Sequence, residues 1–122
     1  MALSRSLILV NGLAALVAAV SCVIGLADPA LLLPSGADAT NGVDLYARMY
    51  GARALPLSAV VLCLLASRSR RGLVPVLVVA GLAQVADAAI GISLRNPGMV
   101  AGGTVLAAVH LVSAARLTRE RA

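Results

Sequence analysis

The sequence predicts an all-α fold, a four-helix transmembrane bundle, on three observations. Of its 122 residues 61% are hydrophobic and only 12% charged. Two uncharged stretches are long enough to cross a bilayer unaided, and Pro, Gly and Arg cluster between the apolar segments as turns. Soluble domains carry about 25% charged residues, and so few polar side chains cannot cover a body this small in water. The chain reads as a single membrane domain, residues 1–122, with a mean hydropathy of +0.99. It has no Lys, Trp or Phe, and its basic residues are all Arg. That composition excludes a disordered tail and a nucleic-acid-binding arm.

A spanning helix needs about 20 apolar residues for a hydrocarbon core of about 30 Å. The first helix, at about 7–27, falls within the uncharged run Ser6 to Ala27 and stops at Asp28-Pro29, because the residue before Pro is disfavoured in helical geometry. A secretory signal is the competing reading, since Arg5 precedes the apolar run and Gly25-Leu26-Ala27 resembles a cleavage site; the run exceeds the usual 7 to 15 residues of a signal. The outer loop, 28–44, holds Pro34, Ser35, Gly36, Asn41 and Gly42. The second helix must draw charge inward. Ala54 to Ser67 is uncharged for only about 21 Å, so a spanning helix has to run from about 45 to 66 and include Arg48 and Arg53. The third is short for the same reason: Gly72 to Ala86 makes about 22 Å, so a helix over 73–94 takes in Asp87. The fourth, 99–117, takes in most of the uncharged stretch Asn96 to Ala115, whose one titratable residue is His110. Ser67 to Gly72 and Arg95-Asn96-Pro97-Gly98 are the turns between. No internal repeat accompanies them.

Orientation follows from the arginines, which gather on cytoplasmic flanks. Arg5, Arg68, Arg70, Arg71, Arg116, Arg119 and Arg121 lie on one side and Arg95 on the other, so both termini are expected in the cytoplasm, in a bacterial plasma membrane. The same count accounts for the net charge of +5, with anionic lipid headgroups as a secondary partner. Gly, Ala and Ser on helices one and four permit a homo-oligomer as readily as tight packing within one chain. Cys22 and Cys63 fall too far apart along the membrane normal to pair, and read as small packing residues.

Counting inward from the outer helix ends at about 1.5 Å per residue places Arg53 about 12 Å deep, Asp87 about 10 Å, Gln84 about 15 Å and His110 about 16 Å. Tyr46, Tyr50 and Arg53 share one stripe of helix two. Asp87 shares a stripe with Ala80, Ala83, Gln84 and Gly91, and His110 with Gly103, Ala107, Ser113 and Ala114. Arg48 points the other way and reads as an exposed pair with Asp44. Asn11, near the inner end of helix one, reads as an interface or packing residue. A charge at mid-membrane costs about 2.5 to 3.5 kcal/mol, so Arg53 and Asp87 are expected to face one another and pair, the planar guanidinium holding the carboxylate with two bonds. Tyr50, Gln84 and His110 complete the expected pocket, with Tyr46 beside it.

From Asp44 onward, about two thirds of the chain, the sequence resembles a family of small four-helix membrane proteins of bacteria and fungi, domain of unknown function 4267. Arg53-Ala54-Leu55-Pro56-Leu57, Ala86-Asp87-Ala88-Ala89-Ile90 and His110 carry the resemblance. It implies four membrane helices and a grouping of Arg53, Asp87 and His110; Ala86 stands where the family pattern has Gly.

Two functional readings compete. In one the buried Arg53–Asp87 pair only fixes which helices touch, as such pairs often do without adding stability. In the other the pocket is the site of a membrane-embedded acid–base enzyme, an isomerase, cyclase or epoxide-opening catalyst for a lipophilic small molecule. There Asp87 transfers a proton, Arg53 and Tyr50 polarise a substrate oxygen, His110 accepts or relays the proton, and Tyr46, Tyr50 and Gln84 bind substrate. A small transporter is a third reading, because intramembrane carboxylates often mark ion pathways. No nucleophilic serine motif, phosphate loop, metal-ligand cluster or Cys-x-x-Cys is present, so no metal or cofactor is expected.

Overall fold

The computed structural model describes residues 3–33, 35–38 and 40–120; Pro34 of the first interhelical loop and Arg121 of the basic tail lie outside them. Among the described residues the fold is all helix: α1 (Arg5–Ala27), a short 3₁₀ turn (Pro29–Leu32), α2 (Asn41–Ala66), α3 (Arg70–Ser93) and α4 (Pro97–Arg119). Each long helix is apolar and long enough to cross a membrane.

The helices begin earlier than hydropathy predicts, because their caps lie outside the apolar runs. Ser4 Oγ accepts from the Leu7 amide at 3.3 Å and starts α1. Thr40 Oγ1 accepts from the Val43 amide at 3.4 Å, so residues 41 to 44, read as loop, become the first turn of α2. Asn96 caps α4 through the Met99 amide at 3.1 Å, with Pro97 at the first helical position, where its missing N–H costs nothing. α3 starts at Arg70 instead of 73, and its turn from α2 is correspondingly tight. α2 continues through Pro56 without a break. A proline has no N–H to give, so the Ala52 carbonyl, next to Arg53, loses its helical donor.

The turns after α2 and α3 share one geometry. Ser69 N–H bonds Leu64 O at 3.0 Å and Arg68 N–H bonds Leu65 O at 3.2 Å; Asn96 N–H bonds Gly91 O at 2.8 Å and Arg95 N–H bonds Ile92 O at 3.1 Å. This is the Schellman arrangement, whose left-handed residue is usually glycine. Here it is an arginine both times, Arg68 and Arg95, each at φ 52°. Arg95→Gly is therefore expected to stabilise the protein by about 1 kcal/mol, read as a higher thermal midpoint in detergent.

The helices neighbour one another in ring order, α1–α2–α3–α4 and back to α1, with α3 and α4 closest, α1 and α2 next, and the seams between these pairs looser. Lipid supplies no hydrophobic drive between helices, so close approach rests on small residues. A Cβ built on Gly103 would lie 2.8 Å from the Gln84 carbonyl oxygen and 2.9 Å from the Ala88 amide nitrogen. Both are backbone atoms that cannot swing away. Gly103→Ala should thus cost about 1–3 kcal/mol, whereas Gly102→Ala, facing open space, should cost nothing; unfolding of the two variants side by side checks this.

One end of the bundle is sealed. Leu3, Leu7, Val61, Leu65, Leu73, Leu77 and Leu117 form the buried core, at the end where α1 begins and α4 finishes, and Arg70 pairs with Glu120 there. Toward the other end the interior is lined by alanines and polar groups. Leu9, Leu13, Val20, Val79, Leu82, Ile92 and Val105 point outward, the inverted pattern of a protein solvated by lipid.

Candidate functional site

Above the leucine core lies a cavity of ≈ 390 Å³ whose polar lining comes from α2 (Tyr50, Arg53, Ser58), α3 (Gln84, Asp87) and α4 (His110). Small residues make the room: Ala15 and Ala18 of α1, Ala54 of α2, and Ala80 and Ala83 of α3. Five of the six residues expected in the site therefore share one cavity. Tyr46 is the exception.

Tyr46 is 72% exposed and does not line the cavity. The reason is the length of α2. Leu26, next to the end of α1, packs over Gly51, where a Cβ would lie 2.8 Å from its Cδ1. The residues of α2 before Gly51 thus run on for roughly 14 Å past the end of α1, and Tyr46 stands on that projecting segment although it shares a stripe with Tyr50. Asp44 and Arg48, on the same segment, form the exposed pair read from the sequence, Nε to Oδ2 2.8 Å apart.

The same projection corrects the depth of Arg53. It lies only about 3 Å further in than the Gly51–Leu26 contact by helix rise, and it is exposed at the cavity rim. Asp87 is half-buried. The two do not form the expected direct pair: among the described residues the ion pairs are Arg48–Asp44 and Arg70–Glu120. α2 and α3 approach one another less closely than α3 and α4 do, and the cavity occupies the width between them.

The most buried polar group is one the sequence reading set aside. Asn11 is 0% exposed. Its Nδ2 donates to Leu7 O at 3.0 Å and to Ser113 Oγ at 2.7 Å, and its Oδ1 lies 3.0 Å from Nδ1 of His110. A backbone carbonyl can only accept, so the Leu7 contact decides which end of the amide carries the nitrogen. Oδ1 then faces His110, and Nδ1 must hold the ring proton to donate to it. In the neutral ring the lone pair is then on Nε2, which has no protein partner among the described residues. His110 is 3% exposed to the outside and lines the cavity. Asn11 thus acts as the orienting group that a histidine base needs. With the observed helix ends, Asn11 lies about 24 Å from the C-terminus of α1 and Ser113 about 24 Å from the N-terminus of α4, a match that the sequence-read start at 99 hides.

Cys22 is buried, Cys63 exposed, and both are free. No group of three or more His, Cys, Asp or Glu able to hold a metal is found among the described residues. The site offers a carboxylate, an oriented imidazole, a phenol and a guanidinium around one cavity within an apolar bundle. Comparison with family models, with curated proteins and with solved structures finds no match to this chain.

Proposed function

We propose that the protein is a membrane-embedded acid–base enzyme acting on a lipophilic, oxygen-bearing small molecule. Asp87 transfers the proton, His110 Nε2 accepts or relays it, Arg53 and Tyr50 polarise the substrate oxygen, and Gln84 helps hold it. Isomerisation, cyclisation and epoxide opening can each be carried out by such a set. A single observation carries the reading: six polar side chains from three helices line one cavity, in a chain where each buried polar group is costly. A bundle selected for packing alone would close that space with leucine, as this one does at its other end. That leucine core also favours an enzyme over a transporter, which needs a path to both faces. The reading of Arg53 and Asp87 as a merely structural pair requires a contact that they do not make.

On the positive-inside principle, Arg5, Arg68, Arg70, Arg71, Arg116 and Arg119 orient both termini to the cytoplasm of a bacterial plasma membrane, which puts Tyr50 and Arg53 toward the outer leaflet. The kinship with the domain of unknown function 4267 family is proposed on the same Arg53, Asp87 and His110.

The test is ligand stabilisation of the purified protein by a panel of apolar alcohols, ketones, enones and epoxides. A ligand at a hundred times its Kd should stabilise by about 2.7 kcal/mol, and Arg53→Gln or Tyr50→Phe should weaken the effect. Equal stabilisation by hydrocarbons without oxygen would count against the reading.

A further inference from the structure

We propose that the cavity opens sideways into the bilayer, through a slot between α2 and α3, and admits an uncharged amphiphile of about two rings' size dissolved in the outer leaflet. This rests on the functional reading above for what happens inside, but not for the route. Among the described residues no loop residue lines the cavity; every lining residue belongs to one of the four helices. The lining residues divide by exposure into a back and a mouth. Ala15, Ser58 and His110 are buried at the back, whereas Val79, Ala83 and Ile90 are exposed. Those three lie on one side of α3 and span about 16 Å along it, a vertical edge at hydrocarbon depth. Arg53 is the exposed residue of the opposite edge, on α2. The seam between these helices is looser than the α1–α2 and α3–α4 contacts that flank it, as a side opening requires.

The lining also selects its ligand. Arg53 and Asp87 are its charged groups and cancel formally. A ligand with a net charge would first have to leave water for hydrocarbon to reach an opening at that depth. A cavity of about 150 Å³ takes one benzene, so ≈ 390 Å³ takes about two rings with an oxygen substituent.

Access can be read without knowing the reaction. In a Cys22→Ala, Cys63→Ser background reconstituted in lipid nanodiscs, Ser58→Cys places one thiol at the back of the cavity, and Ser35→Cys in the outer loop serves as the aqueous reference. N-Phenylmaleimide, which partitions into lipid, should label position 58, while a charged, membrane-impermeant methanethiosulfonate should label it at least tenfold more slowly than position 35. Ala83→Trp or Ala86→Trp, bulky but on the lipid side of α3, should slow maleimide labelling at 58 about tenfold and leave 35 unchanged. The bicyclic ketone 2-decalone should protect position 58, and the corresponding decalin carboxylate should not. Fast labelling by the charged reagent, no labelling by either reagent, or indifference to both tryptophans would overturn the sideways route. Protection by the carboxylate, or by neither compound, would overturn the ligand class. Loss of the acid–base reading would show itself elsewhere, as an Asp87→Asn protein with full turnover, and would leave these labelling rates as they are.

Discussion

Asp87→Asn is expected to reduce turnover by about 10²- to 10⁴-fold, the usual contribution of a positioned acid or base, while the protein stays inserted and unfolds no more easily than the parent. The two halves of that result must be measured together. Asparagine keeps the shape of the side chain and removes its charge and its capacity to carry a proton. If Asp87 were half of a structural ion pair, losing it would strand a buried arginine and cost about 3–5 kcal/mol. It touches no arginine, so neutralising it instead relieves the cost of holding a carboxylate within the membrane, and thermal stability should stay level or rise. Turnover is followed on whichever oxygenated compound the stabilisation screen selects, and unfolding by heating in detergent. A destabilised variant with undiminished turnover would reverse the assignment.

Asn11→Leu should be the most damaging change outside the cavity. It removes two bonds across the α1–α4 seam, to Ser113 and His110, and leaves those groups without their partner, as well as the Leu7 carbonyl bond. Hydrogen bonds between membrane helices average about 0.6 kcal/mol and reach about 1.7, and groups left unsatisfied add about 1–3 kcal/mol. A loss of at least about 2 kcal/mol is expected. Stability alone would not separate packing from positioning, so the second readout is the imidazole ¹⁵N spectrum of His110. The parent should give one neutral form with the proton on Nδ1, and Asn11→Leu a mixture of both tautomers. Asn11→Asp is expected to fail as well, because a carboxylate cannot donate to Leu7 O. A single, unchanged tautomer in Asn11→Leu would show that something other than Asn11 orients the ring.

Much of this protein is legible in its sequence because lipid imposes a simple rule: every spanning segment must satisfy its own backbone, so helix length and apolar content decide the architecture. The count of four helices follows from that, and so does the presence of Arg53 and Asp87 within the spanning helices, since Ala54–Ser67 and Gly72–Ala86 are too short to span without them. The Asp44–Arg48 pair is also local, one helical turn within one helix. What escaped depended on how the helices sit against each other. The caps at Thr40 and Ser4 lie outside the apolar runs and are set by single hydrogen bonds. The offset of α2 against α1, set by Leu26 over Gly51, moved Tyr46 out of the site and Arg53 to its rim. The distance between α2 and α3 decided that Arg53 and Asp87 share a cavity instead of a bond. Asn11 reaches His110 across 99 positions of sequence, and no period within α1 announces that partner. Hydropathy acts on each segment separately and so determined which segments cross; side-chain contacts between segments, which have no one-dimensional pattern, determined which polar groups meet.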